Sequence, residues 1–139
     1  MSAPPTQTQT PPPTPYESIG TPAIIALVER FYDHMESAEP ELARLHPPHD
    51  GTIPTAARAR FALFLVGWLG GPQTYTEQHG HPRLRMRHAT VPIGTQMRDA
   101  WLRCMSTAMD VDPTFTGPVR DFLDSRFAEV ADFLRNQPS

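Results

Sequence analysis

Residues 79–94, HGHPRLRMRHATVPIG, set three histidines and three arginines within sixteen positions before the chain turns apolar. From Arg83 to His88 charged and apolar side chains alternate, which is the period of a half-buried strand. A lone six-residue strand needs a partner for its backbone hydrogen bonds, and no other segment reads as one. The stretch is therefore expected as a short helix, and the fold class follows from its neighbours.

On the C-terminal side Thr95 opens a long helix with Met97, Ala100, Trp101, Cys104, Met105 and Ala108 inward, ending near Asp112-Pro113. Another begins at about Gly117 and sets Val119, Phe122, Leu123, Phe127, Val130, Phe133 and Leu134 on one face. On the N-terminal side Gly70-Gly71-Pro72 stops a helix capped by Thr55, whose Phe61, Phe64, Leu65 and Trp68 fall at i, i+3, i+4 and i+7. A first long helix runs from 22 to about 36, with Thr21 as cap and Ile24, Ile25, Leu27, Val28, Phe31, Tyr32 and Met35 at helical spacing. Residues 38–53 are broken by Pro40, Pro47, Pro48 and Gly51 and read as short turns anchored by Leu42 and Leu45, and 72–82 show no periodic pattern. The class is all-α.

At 139 residues the chain is long enough for one core, expected over 16–139. Residues 1–15, rich in Pro, Thr and Gln and without charge, cannot offset the entropy of ordering and are expected to be disordered. With 12 Lys+Arg against 15 Asp+Glu, a net charge of −3 excludes a general nucleic-acid or anionic-membrane binder. The longest apolar run, 61–69, is nine residues, about half of the roughly 20 that span a bilayer, and no export signal opens the chain. A single cysteine, Cys104, excludes an internal disulfide and fits a reducing, cytoplasmic location.

The basic stretch must then act locally. A structural zinc site needs four ligands, and His79, His81 and His88 have only Cys104, sixteen residues beyond His88, to complete them. Phosphate binding by Arg83, Arg85 and Arg87 lacks the interleaved aromatics that hold bases. A solvated loop ending in a structural histidine is the plain reading. Yet the helices carry an unusual number of facing aromatics for so small a core, and a large flat apolar guest accounts for both features. Haem is such a guest: it needs an apolar slot, one imidazole, and cations or hydroxyls for its two propionates.

The run GGPQTYTEQHGHPRLRMRHATVPIGTQMRDAWLRCM, residues 70–105, resembles the group II truncated haemoglobins, and LVERFYDHM at 27–35 resembles their first haem-facing helix. The similarity covers roughly residues 16–135. It implies a two-over-two helical sandwich around haem b, iron protoporphyrin IX, with His88 as the iron ligand and its second ring nitrogen held by a backbone carbonyl. Spacing alone would make His88 structural and Trp101 a core tryptophan.

From the resemblance, Arg87, Arg60 and Tyr75 are expected at the propionates; Leu84, Ile93, Val91 and Met97 are the candidate apolar contacts on the proximal side, positions that ordinary core residues would fill equally well. Trp101, a pure donor, is expected over the ligand-binding face with Tyr32 and, through a segment whose alignment can slip by one residue, His46. Ala57 stands where conventional globins place a distal histidine, which leaves an opening for ligand entry. Phe61, bulkier than the leucine common at its position, narrows the cavity. Gly70-Gly71 matches the family's flexible hinge, whereas Gly20-Thr21 lacks a second glycine.

The function so implied is reversible binding of O2 at ferrous iron, with CO and NO as further ligands, high affinity and slow release. The alternative is a haem redox enzyme, peroxidase-like or an NO dioxygenase fed by an external reductase. Either a monomer or a homodimer suits the chain.

Overall fold

The computed structural model describes residues 14–137. Among them it has eight helices and no strand: α1 (Pro15–Ile19), α2 (Thr21–Ala38), α3 (Pro40–Ala43), α4 (Thr55–Trp68), α5 (Thr74–His79), α6 (Leu84–Arg87), α7 (Thr95–Asp110) and α8 (Gly117–Phe133). No helix among these residues is long and apolar enough to cross a membrane. Residues 1–13 of the expected tail lie outside the described part, whereas Thr14 and Pro15 belong to structure. Thr14 caps α1 through a reciprocal pair, Glu17 N–H to the Thr14 hydroxyl and Thr14 N–H to the Glu17 carboxylate.

Two pairs of long helices, α2 with α4 and α7 with α8, pack on one another chiefly through α2 against α7. The stripe on α2 buries Ile24, Leu27, Val28, Phe31, Tyr32 and Met35, while Ile25 points outward, about half exposed. Helix α7 answers with Ala100, Cys104, Met105, Ala108 and Met109, small or flexible side chains that let the helices approach closely. Helix α8 contributes a narrower stripe than its sequence suggests: Leu123, Phe127 and Ala131, at i, i+4 and i+8, are buried, but Phe122 and Phe133 are exposed.

Helix α4 is apolar around most of its circumference. Ala62, Leu65 and Val66 enter the core, while Phe61, Phe64 and Trp68 lie half-buried against it on another side. That second face is what makes α4 the wall of a site.

The caps differ from expectation at two places. Gly20, with φ of +85°, takes the cap position of α2, and the Thr21 hydroxyl pairs instead with the Tyr16 hydroxyl at 2.6 Å. Thr55 is the first residue of α4, behind Pro54, and makes no capping bond. The Gly70-Gly71 pair serves as a seat for α1. A Cβ at Gly71 would lie 2.7 Å from the Tyr16 ring, Gly70 has φ of +100°, and Tyr16 N–H donates to the Leu69 carbonyl at 2.9 Å.

Candidate functional site

The stretch that opened the sequence reading forms one helical turn, α6, ending on His88, so a helix replaces the apparent strand. Arg83 starts it with φ of +48° and its N–H donates to His81 Nδ1. One turn places residue 88 over residue 84, and the Leu84 carbonyl receives both the His88 backbone N–H at 3.1 Å and the ring Nδ1 at 2.7 Å. A carbonyl only accepts, so Nδ1 carries the proton and a neutral ring keeps its lone pair on Nε2. His88 is half-buried, as are Leu84, Val91, Ile93 and Met97.

Next to it, Arg87 donates to the Tyr75 hydroxyl at 3.2 Å. Tyr75 is buried on α5, a helix with too few residues to show periodicity, and packs on Phe64 at 5.6 Å and His79 at 5.0 Å. Arg60 is exposed, and among the described residues no hydrogen bond joins it to Tyr75 or Arg87. Its charge is felt at Tyr32 instead.

An aromatic circuit links this edge to the other end of α4. Phe64 stacks on Trp68 at 6.3 Å, Trp68 on Phe127 at 5.3 Å, Phe127 meets Trp101 edge-on at 5.5 Å, and Trp101 meets Phe61 at 6.5 Å. Phe61 closes the ring onto Phe64 at 6.4 Å and continues to Tyr32 at 5.8 Å. Of these, Phe61, Phe64, Trp68 and Trp101 are half-exposed, an apolar surface broader than core packing requires. Ala57, one turn before Phe61 and also half-buried, adds only a methyl group to it.

At the far end Tyr32 is buried, and burial pushes its hydroxyl well above the ordinary range despite the nearby charges of Arg58 and Arg60. His46 meets Tyr32 edge-on at 5.9 Å, and its Nδ1 lies 3.0 Å from the Leu42 carbonyl. Burial holds the His46 pKa below that of a free imidazole; hydrogen bonds to Leu42 and Ala43 oppose the shift, and the charges of His88 and His49 add to it.

The matching family model is the bacterial-like globin, over residues 14–125. The chain belongs to the bacterial-like globins. It is 42% identical over 123 residues to the group 2 truncated haemoglobin YjbI of Bacillus subtilis, covering 88% of this chain and 89% of that one. Among solved structures it superposes on the truncated oxygen-avid haemoglobin of Bacillus subtilis with a TM-score of 0.80 at 39% identity, over 89% of this chain and 100% of the other. The group II two-on-two haemoglobin of Agrobacterium tumefaciens matches with a TM-score of 0.82 at 35% identity, over 93% and 98%.

The globin is thus a two-over-two sandwich, as the resemblance implied, and the family's cofactor is haem b. The residues present fit it: an imidazole with one free ring nitrogen, a guanidinium and a phenol hydroxyl bonded to each other at one edge, and an accessible aromatic wall.

Two contributors escaped the sequence reading. Arg58 sends Nε to the Ile53 carbonyl at 3.0 Å and its terminal nitrogens to Glu29, Asp33 and Glu36 at 2.9, 2.7 and 3.1 Å, with its guanidinium 5.8 Å from the Tyr32 ring centre. Glu29, Asp33 and Glu36 form an acidic ridge at i, i+4 and i+7 on α2, and that spacing was the available signal. Asn136 bonds to the loop after His88 from 48 residues away, and no local pattern could announce it.

Proposed function

We propose that this globin binds haem b through Nε2 of His88 and reversibly holds O2, with CO and NO as further ligands, releasing O2 slowly. The observation that carries the reading is the Leu84 carbonyl, which pins Nδ1 and leaves Nε2 as the only ring position able to ligate. Haem supplies, when bound, a ferrous centre for diatomic ligands.

The chain's own groups divide the remaining work. Arg87 and the Tyr75 hydroxyl offer donors to propionate at the cofactor's acidic edge, with exposed Arg60 left for a looser contact. Leu84, Val91, Ile93 and Met97 exclude water around His88. On the opposite face Tyr32 stays a protonated phenol at any physiological pH, since burial disfavours its charged form. Trp101 offers an indole N–H.

His46 plays a different part from the one its type suggests. Its neutral ring gives the Nδ1 proton to the Leu42 carbonyl and presents Nε2 as an acceptor. The donors toward a partially negative ligand are therefore Tyr32 and Trp101, and His46 can accept only from them or from a protonated ligand. The supporting setting is a reducing compartment, where Cys104 stays a thiol and iron can be kept ferrous by an external reductase.

Absorption spectroscopy tests the proposal. The purified chain supplied with haemin is expected to give a Soret band, a five-coordinate ferrous spectrum after dithionite, and a shift with CO. His88→Gly is expected to lose the five-coordinate ferrous spectrum and regain it with millimolar imidazole. An unchanged ferrous spectrum in His88→Gly overturns the assignment.

A further inference from the structure

Beyond the residues that would touch the cofactor, the last described turn of chain closes over the loop carrying His88. Helix α8 ends at Phe133, and two residues past its C-cap Asn136 meets the segment 88–93 through four hydrogen bonds. Its backbone N–H donates to the Ile93 carbonyl at 2.8 Å, and its side-chain oxygen accepts the Ile93 N–H at 2.9 Å. The side-chain amide nitrogen donates to the His88 carbonyl at 3.1 Å and to the Val91 carbonyl at 2.8 Å. Gln137 N–H adds a bond to the Ile93 carbonyl at 3.1 Å. Water reaches this side chain, yet both polar atoms of its amide bond to one loop, and Oδ1 also accepts from the Gln137 side-chain amide at 3.5 Å.

We propose that Asn136 is a positioning residue for the iron ligand, fixing the azimuth of the His88 ring by clamping its backbone. The inference rests on the assignment of His88 made above. The geometry supplies the reason. His88 ends α6 with φ of −100° and ψ of 2°, outside the regular helix, so its own turn does not fix the direction of its carbonyl. One side is set by Leu84, which receives both the N–H and Nδ1 of His88. The other side is the His88 carbonyl, shared between the Val91 N–H at 3.0 Å and Asn136. Without the amide the loop keeps a single turn bond within 88–91, and rotation about the His88 peptide can carry the ring away from the orientation Leu84 selects.

The clamp needs the geometry of an amide. A carboxylate can accept from Ile93 but cannot donate to two carbonyls. Ion pairing between Arg98 and Asp132, at 2.7 Å, separately ties the start of α7 to the end of α8 and brings residue 136 within reach. The clamp therefore survives only while α8 is docked, which couples the orientation of the ligand to the integrity of the C-terminal helix.

The experiment uses the full chain loaded with haemin, with Asn136→Ala, Asn136→Asp and, as a control that keeps every bond from Asn136 to the loop and loses only the long 3.5 Å contact from the Gln137 side chain to Asn136 Oδ1, Gln137→Ala. Three readouts are taken: hydrogen exchange at the Val91 and Ile93 amides, the rate of haemin loss to an apomyoglobin acceptor, and the iron–histidine stretching band of the ferrous form in resonance Raman. Asn136→Ala and Asn136→Asp are expected to lose haemin about 10-fold faster, the low end for residues that orient a metal ligand through a neighbour. Both are expected to shift or broaden the stretching band, and Gln137→Ala to match the parent in each readout. Faster exchange at Ile93 with an unmoved band and haemin loss within about 2-fold of the parent would make Asn136 a mere tether and overturn the proposal, as would unaltered exchange in Asn136→Ala, the variant that removes the acceptor of the Ile93 N–H. If the parent itself shows no iron–histidine band, the His88 assignment has failed and the positioning role falls with it, an outcome the variants are not needed to detect.

Discussion

A hydrogen-bond donor and an acceptor at equal distance from bound O2 have opposite consequences, and in this globin the side-chain type does not tell them apart. Trp101 Nε1 can only donate, and Tyr32 keeps its proton because it is buried. His46 is a donor in name, but its Nδ1 proton is committed to the Leu42 carbonyl, and burial disfavours the protonated ring that would regain a second donor. A neutral hydrogen bond contributes about 0.5–1.5 kcal/mol, which corresponds to about 2- to 13-fold in ligand escape. Trp101→Leu and Tyr32→Phe are each expected to speed O2 dissociation within that range in stopped-flow displacement by CO. His46→Leu should change it less than 2-fold at pH 7.5. A larger acceleration in His46→Leu than in Trp101→Leu would mean that the histidine donates, with the opposite tautomer from the one Leu42 imposes.

At the scale of elements, α1 shows how two glycines act through packing. Five residues cannot form a stable helix alone, and α1 persists because Thr14 caps it, Ile19 is buried, and Tyr16 packs beside Gly71 and bonds to Leu69 just past the end of α4. Gly71→Ala would set a methyl group 2.7 Å from the Tyr16 ring and must displace it, at an expected cost of about 1–3 kcal/mol in urea unfolding. In the background of Tyr16→Ala the same change should cost almost nothing, and the difference between the two measurements is the coupling of α1 to α4. Equal costs in both backgrounds would place the strain elsewhere, in the backbone at residues 70–71. The long helices were legible in the sequence because α2, α4, α7 and α8 repeat apolar residues over three or more turns. Helices α1 and α5 were not, since each buries one side chain, Ile19 and Tyr75, and a single residue has no period. Phe122 and Phe133 misled for the converse reason: a stripe of seven apolar residues was read on α8, and only the line through Leu123, Phe127 and Ala131 reaches the core.

For the molecule as a whole, the same division separates what was readable in the site from what was not. Leu84 and His88 are one turn apart, so the bond that orients the ring is local, whereas Arg58, Arg87 with Tyr75, and Asn136 act across 12 to 48 residues and exist only once the chain has folded. The cofactor would bridge the same distant segments, α4, α6 and α7, so its binding should stabilise the entire core, including parts it never touches. Cys104 is a reporter for that linkage. It is fully buried between α2 and α7, and burial pushes its thiol up to about 12, so the folded state offers neither access nor thiolate to an alkylating reagent at pH 8. Reaction then requires opening, and when opening is faster than alkylation its rate follows the population of the open form. Haemin at about 100 times its dissociation constant lowers that population by a factor of about 100, equivalent to about 2.7 kcal/mol. Alkylation of Cys104 by iodoacetamide, followed by mass spectrometry, is therefore expected to slow about 100-fold on adding haemin, and to slow far less in His88→Gly until imidazole is supplied. A rate indifferent to haemin would show that the core closes without the cofactor and that the aromatic wall of α4 and α7 is packing in its own right.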